Sequence, residues 1–296
     1  MKKGILALMS NSDASSQQES TYVIDAESGA EMARLINQER LLTKVMGGVF
    51  PGSFDLSDAS RILDIGCGPG GWVLDVAFEH PDIEVVGIDV SQQMIEYARA
   101  HARAQKMSNA SFQVMNALRK LEFPDASFDV VNARYINAFM LKDSWPLLMK
   151  EILRILRPGG ALLLTETEWS ITNSPAFEKM GEMLTRVGIV TGRSFSPDGR
   201  HIGITPMLGR FLRDSGFVDI QKKAHAIEFS AGTEEFGETY QDLMIGLKLL
   251  EPYLVMMKTT TPEDFETLYQ QSLAEMMQDS FCAIGYSLTV WGSKPT

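Results

Sequence analysis

Two carboxylates and a run of glycines carry the densest chemistry in this chain. Residues 61–72 read Arg-Ile-Leu-Asp-Ile-Gly-Cys-Gly-Pro-Gly-Gly-Trp, so Asp64 lies in a short apolar run just before the loop and Gly66, Gly68, Gly70 and Gly71 follow it. Glycine lets the chain turn sharply and leaves its backbone bare, and a ligand can then lie directly on the main chain. About 20 residues on, Ile83-Glu84-Val85-Val86-Gly87-Ile88-Asp89 is a second apolar run ending in an acid, the spacing at which a carboxylate accepts both hydroxyls of a ribose. Gly66, Gly68 and Gly71 also satisfy Gly-x-Gly-x-x-Gly, so the glycines alone admit a nicotinamide-dinucleotide site. Asp64 argues against it. A carboxylate in front of the loop repels a pyrophosphate and welcomes a cationic ligand.

Open parallel sheets bind ligands beyond the carboxyl ends of their strands, which brings forward Asn132, Arg134 and Tyr135 after one strand and Glu166, Glu168 and Trp169 after the next. Arg134, Tyr135, Glu168 and Trp169 are candidates for catalysis, joined by His201, which follows the turn Ser196-Pro197-Asp198-Gly199 in a long irregular segment. No motif assigns any of them a role, and polar loop residues that merely satisfy the backbone look the same. His80, His101, His201 and His225 have no ligand-like spacing to one another or to a cysteine pair, so no metal site is expected. Cys67 and Cys282 are too few for a disulfide framework, which favours a reducing cytoplasm, and Cys67 reads as a small loop residue.

The elements that position these groups follow from the apolar patterning. Ile62, Leu63 and Ile65 make a buried strand; Phe128-Asp129-Val130-Val131 opens another; and Leu156-Arg157-Pro158-Gly159-Gly160-Ala161-Leu162-Leu163-Leu164 reads as a helix end, a tight turn and a buried strand. After Leu164 helices intervene around two late strands, at residues 217–229 and 281–291, with starts at Thr205-Pro206, Thr233-Glu234-Glu235 and Thr261-Pro262 and a break at Pro252.

This ordered set resembles the class I, Rossmann-like S-adenosylmethionine-dependent methyltransferases of the small-molecule type, over roughly residues 22–164 and more loosely to the end. The resemblance implies an α/β fold with a doubly wound, mostly parallel, seven-stranded sheet. It implies an N-terminal helical lid over residues 21–60 and a methyltransferase domain over 61–296, with helical insertions at about 171–215 and 231–280. S-adenosyl-L-methionine is the implied cofactor: Asp64, Gly66, Gly68 and Gly70 receive its methionine part, Asp89 grips the ribose and Met94 lies against the adenine. Val90, Asn116, Ala117 and Asn132 complete the expected contacts. Asn116 stands where many relatives carry an acid facing the adenine amine, and its amide oxygen can still accept that hydrogen bond. Tyr22, Glu31, Arg34-Leu35 and Gln38 match a Tyr…Glu-x-x-Arg-Leu-x-x-Gln pattern found before the glycine loop, which adds Tyr22 and Gln38 to the cofactor set. Met32, Leu35, Ile36, Leu42, Val45 and Met46 recur at helical spacing, an apolar face suited either to closing over a cofactor or to ordinary packing.

Composition narrows the acceptor. With a net charge of −11 and no lysine or arginine run, the chain offers no stripe for DNA or RNA, and no segment has the apolar length of a membrane helix. Residues 1–20 read as a disordered tail whose apolar run over residues 4–9 is too short for a secretory signal. The insertions are rich in methionine and aromatics, among them Met180, Met207, Tyr240, Met244 and Tyr253; such stripes are most often core, but they also make a flexible wall for an apolar guest. The expected function is methylation at oxygen, nitrogen or carbon of a small, largely apolar or aromatic metabolite of secondary metabolism. The alternatives are an NAD-dependent oxidoreductase, and a methyltransferase-like protein that binds the cofactor without methylating. The last insertion is expected to cover the acceptor, with a homodimer interface through Leu243, Leu247 and Leu250 as the rival reading.

Overall fold

β1 (Arg61–Ile65) and β2 (Glu84–Asp89) run parallel, with Leu63 opposite Val86 and Asp64 opposite Gly87. Their residues are apolar on both faces because helices cover both sides of the sheet. The computed structural model describes residues 21–52 and 54–296; the tail read over residues 1–20 lies outside them. The remaining strands of the parallel part are β3 (Ala110–Val114), β4 (Phe128–Arg134) and β5 (Leu156–Thr167), linked by α2 (Gly71–Glu79), α3 (Gln92–Ala104) and α4 (Trp145–Ile155) and preceded by α1 (Gly29–Met46). Then come β6 (Ile171–Thr172), α5 (Pro175–Val190), α6 (Thr205–Ser215), β7 (Val218–Glu228), α7 (Phe236–Met256), α8 (Pro262–Met276) and β8 (Ala283–Ser293).

The order β3-β2-β1-β4-β5-β8 ends with β7 on the far side of β8, which is antiparallel to both neighbours. Ile284 pairs with Ile171 on one side and Glu228 on the other, so β6 prolongs the β5 side. Among the described residues the sheet therefore has the seven expected strands and a two-residue eighth. β1 pairs with β2 on one side and β4 on the other. The chain reverses its direction of travel there, and the crevice above such a switch point is where open α/β sheets take ligands.

Among the described residues three apolar cores hold the fold together. One lies between the sheet and α4 and α6, around Phe128, Trp145 and Leu208; the second lies under α2 and α3, around Trp72, Val73 and Ile95. The third is built by the insertions themselves, where Phe177, Leu247, Leu254 and Phe265 pack on Phe229 and Phe281 beside the late strands. Leu247 is buried there, and Leu243 and Leu250 pack against the same cluster, so the leucines offered as a dimer face point into a core.

Local expectations shift in three places. Pro252 lies inside α7 instead of breaking it. Proline removes one hydrogen bond and crowds the preceding turn, but Leu247 and Leu254 on either side are anchored in the third core and carry the helix through. Residues 157–160, expected as a tight turn, continue β5 through an irregularity in its pairing with β4, where Gly159 takes a φ of +78° and donates to the Lys294 carbonyl at 2.9 Å. On α1, Met46 alone of the six expected apolar residues is fully buried; the others are half-buried, while Glu31, Arg34 and Leu41 are interior. No helix among the described residues is long and apolar enough to cross a membrane.

Candidate active site

Asp64 is the penultimate residue of β1 and Asp89 the last of β2, on either side of the glycine loop. Gly68 donates its backbone N–H to Asp89 Oδ2 at 3.0 Å and Ser91 donates to Oδ1 at 2.9 Å, so both carboxylate oxygens are oriented by main chain. Asp64 is 4 % exposed and accepts a hydrogen bond from Asn132 Nδ2 at 2.8 Å. Burial pushes its carboxyl up to about 7, with Arg134 and Asn132 pulling the other way. Gly66 and Gly68 both take positive φ, +72° and +51°, and both line the cavity above the loop. Gly70 differs. It heads α2 with a φ of +85°, and a Cβ there would fall 2.6 Å from the Phe112 ring, so it serves packing and does not line the cavity. Asn132 likewise does not line the cavity; it donates to Asp64, which does. Cys67 is buried in the loop and burial pushes its thiol up, away from any nucleophilic state.

The N-terminal segment closes one side of this cavity through polar contacts. Arg34 Nε and Nη2 donate to the two oxygens of Glu31 at 2.7 Å each, Tyr22 donates its hydroxyl to Glu31 Oε1 at 2.6 Å, and Arg34 Nη1 reaches Asp242 of α7 at 2.8 Å. Gln38 Nε2 donates to Asp242 Oδ2 at 3.0 Å. Burial lifts the Asp242 carboxyl above its ordinary range while Arg34 and Gln38 draw it back. Tyr22, Arg34, Gln38 and Asp242 all line the cavity. Arg134, at the end of β4, is held by Glu39 of α1 and lies 5.8 Å from the Trp72 ring.

The cavity, about 470 Å³, is lined at the glycine loop by Phe139, which lies against Gly66, and from later elements by Trp169, Ile202, Ile227, Phe229 and Leu243, which form an apolar chamber. Trp169 stacks on Phe177 with centroids 5.0 Å apart, its indole edge seated over Gly181, where a Cβ would come within 1.9 Å. Glu168 lines the cavity, but its carboxylate is engaged by the Gly203 N–H at 2.9 Å and by the Thr205 N–H and hydroxyl at 3.0 and 2.9 Å, so it fixes the start of α6. Tyr135 sits in the left-handed region with a φ of +56°, its hydroxyl 3.2 Å from Ser287 Oγ and burial pushing it up to about 12. Glu166 is 2 % exposed, accepts the Asn137 N–H at 2.9 Å, and is pushed up to about 8 by burial. His201 is exposed on the surface and does not line the cavity, because the loop turns its neighbour Ile202 inward. Among the described residues no group of three or more His, Cys, Asp or Glu is placed to hold a metal ion.

A family of methyltransferase domains matches residues 62–160. The demethylmenaquinone methyltransferase of Lactococcus lactis is 37 % identical over 189 residues, 58 % of this chain and 70 % of that protein. The chain belongs to the class I S-adenosylmethionine-dependent methyltransferases. This sets aside the nicotinamide reading that the glycine spacing alone admitted. The methyltransferase is also similar to phosphoethanolamine N-methyltransferase 3 of Arabidopsis thaliana, 38 % identical over 172 residues, but it spans 31 % of that protein's length against 58 % of its own. In fold it resembles the Haemonchus contortus phosphoethanolamine N-methyltransferase 2, with a TM-score of 0.51 and 20 % identity over 91 % of this chain and 58 % of that one.

Of the residues expected at the methyltransferase's cofactor, Tyr22, Gln38, Asp64, Gly66, Gly68, Asp89, Val90, Met94, Asn116 and Ala117 line one cavity; Gly70 and Asn132 do not. Asn116 Oδ1 accepts the Leu118 N–H at 2.8 Å, which orients its amide at the cavity wall. Sequence reasoning missed Asp242 and Glu39, the partners of Arg34 and Arg134. Neither sits in a motif; Asp242 lies 208 residues from Arg34, and no local signal marks it.

Proposed function

We propose that this protein transfers a methyl group to an oxygen, nitrogen or carbon atom of a small, largely apolar or aromatic metabolite. The observation that carries the reading is the single cavity running from Asp64 and Asp89 at the glycine loop into the chamber walled by Trp169, Phe229 and Leu243, which gives two different ligands one continuous space.

The residues at the loop fit the cofactor. Each oxygen of Asp89 accepts one backbone N–H and retains acceptor capacity for a ribose hydroxyl. The nearest atom to a Cβ built at Gly68 is Leu35 Cδ1 at 3.8 Å, so the bare backbone is open to a ligand. Asp64 offers a buried carboxyl to a cationic group, Gly66 and Gly68 the turn, and Val90, Met94, Asn116 and Ala117 the walls of the base pocket. Tyr22 and Gln38 close the near side, held by Glu31 and Asp242. When bound, S-adenosylmethionine supplies a sulfonium methyl carbon that is already electrophilic. The protein's task is then alignment and exclusion of water, and holding two reactants in line is worth on the order of 7 to 11 kcal/mol. Residues 21–60 and the insertions at about 171–215 and 231–280 serve as the cover that keeps water out.

Calorimetric titration with S-adenosylhomocysteine tests the cofactor grip. Two hydroxyls donating to one carboxylate contribute about 1.5 to 3 kcal/mol each, so Asp89→Ala should weaken binding well over tenfold. An unchanged dissociation constant in a folded variant would remove Asp89 from the site. Release of S-adenosylhomocysteine from the loaded protein on adding apolar acceptors separates methylation from mere cofactor binding.

A further inference from the structure

The charge around the cavity is one-sided. Its lining includes six acids, Glu39, Asp64, Asp89, Glu166, Glu168 and Asp242, against two arginines, and no lysine or histidine among the described residues. Both arginines are spoken for: Arg34 by Glu31 and Asp242, and Arg134 by Glu39. No cation among the lining residues is left to neutralise a phosphate or a carboxylate, and an unpaired anion buried there is strongly disfavoured. Hydrogen-bond acceptors are abundant instead. Glu166 lines the chamber from the end of β5, held from below by the N–H of Asn137. Asn137 Oδ1 and Thr239 Oγ1, both on cavity-lining residues, are buried without a hydrogen-bond partner in the protein. Buried polar atoms left unmatched beside a cavity point to a guest that satisfies them.

Building on the proposed methyl transfer, we propose that the acceptor is an alcohol, phenol or amine carrying no anionic group, and that Glu166 receives its O–H or N–H. The Glu166 carboxylate takes the proton as the acceptor's oxygen or nitrogen forms its bond to the methyl carbon and the carbon–sulfur bond breaks with its electron pair on sulfur. Charge balances, since a carboxylate and a sulfonium become a carboxylic acid and a thioether. Burial lifts this carboxyl up to about 8, so the carboxylate form that accepts the proton is populated increasingly as pH rises toward that value. The ionisable groups that face it are Glu168, just past the end of β5, and Tyr135, just past the end of β4. The surrounding apolar walls bind the rest of the acceptor.

The test uses four naphthalenes with one apolar body and different heads: 2-naphthol, 2-naphthylmethylamine, 2-naphthyl phosphate and 2-naphthoate. Binding of each to the 296-residue chain saturated with S-adenosylhomocysteine is followed by ligand-observed NMR, for wild type and Glu166→Gln. Glutamine keeps the shape and the acceptor for the Asn137 N–H. The naphthol and the amine should bind, the phosphate and carboxylate about tenfold or more weaker, and Glu166→Gln should weaken the first two by about tenfold while leaving S-adenosylhomocysteine affinity unchanged. Tighter binding of either anion, failure of both the naphthol and the amine to bind, or their undiminished binding to a folded Glu166→Gln protein overturns the proposal. The wild-type series decides the exclusion of anions even if the variant does not fold. Failure of S-adenosylhomocysteine itself to bind wild type strikes instead at the cofactor reading.

Discussion

Arg34 of α1 and Asp242 of α7 meet at 2.8 Å beside the cavity, an ion pair that joins the N-terminal segment to the last insertion. Both side chains are largely buried, and Glu31, Tyr22 and Gln38 complete the cluster. Removing one member leaves a buried charge short of a partner. Asp242→Ala is therefore expected to lower the free energy of unfolding by about 3 kcal/mol, read by urea denaturation. A double-mutant cycle with Arg34→Met should return a coupling of about 1 kcal/mol or more, and additive losses would show that the pair does not tie the two segments together.

Neighbouring glycines in the loop should respond to alanine in opposite ways. At Gly70 the added Cβ meets Phe112 at 2.6 Å and Ala98 at 2.8 Å, on top of a left-handed φ, so Gly70→Ala should destabilise the fold by about 3 kcal/mol. At Gly68 the space is open toward the cavity and the cost is backbone strain of about 1 to 2 kcal/mol, so Gly68→Ala should retain a cooperative thermal transition while losing S-adenosylhomocysteine affinity. Equal loss of stability in the two variants contradicts this division of labour.

Stability should fall as pH rises across the neutral range. Burial raises Glu166 to about 8 and Asp64 to about 7, so between the ordinary carboxylate range and these values the folded chain holds protons that the unfolded chain has released. The stabilisation is complete below the unfolded values, near pH 4, and is lost as pH climbs through 7 and 8. Glu166→Gln removes one of the two groups, and its denaturation midpoint should decline less between pH 5 and 8.5 than that of wild type. A parallel decline in both proteins would locate the effect elsewhere.

Gly181 sets the position of a chamber wall. A Cβ there would lie 1.9 Å from Trp169 Nε1 and 2.2 Å from its Cδ1, so Gly181→Ala must push the indole out of its place over α5. Trp169 lines the chamber proposed for the acceptor and is no part of the glycine loop, so 2-naphthol binding should change several-fold with S-adenosylhomocysteine affinity preserved. Unaltered 2-naphthol affinity in a folded variant would take Trp169 out of the acceptor wall.

The stretch from Arg61 to Asp89 was legible without a structure because its determinants are contiguous. An apolar run, a turn that only glycine can make and a second apolar run with a terminal acid specify strand, loop and strand locally, and parallel pairing then brings Asp64 and Asp89 to the same rim. The family resemblance implied a doubly wound, mostly parallel sheet, whereas the strand order and the antiparallel setting of β8 came from the tertiary structure.

Contacts between distant segments were decided only by the tertiary structure. Helical spacing identified an apolar face on α1, yet the interior side is that of Glu31 and Arg34, because Asp242 arrives from 208 residues away to pair a charge that would otherwise stay in water. His201 lay in a promising loop, but the path of that loop turns Ile202 to the cavity and His201 to solvent. Gly70 belonged to the loop motif, and the proximity of Phe112 and Ala98 gave it to packing instead. Periodicity and motif spacing report which side chains share a face, whereas burial, pairing and proton affinity depend on what the rest of the chain places opposite that face. For this reason Glu166, one polar residue among several in sequence, emerged as a buried carboxyl lining the cavity only once the turn after β4 placed the Asn137 N–H against it.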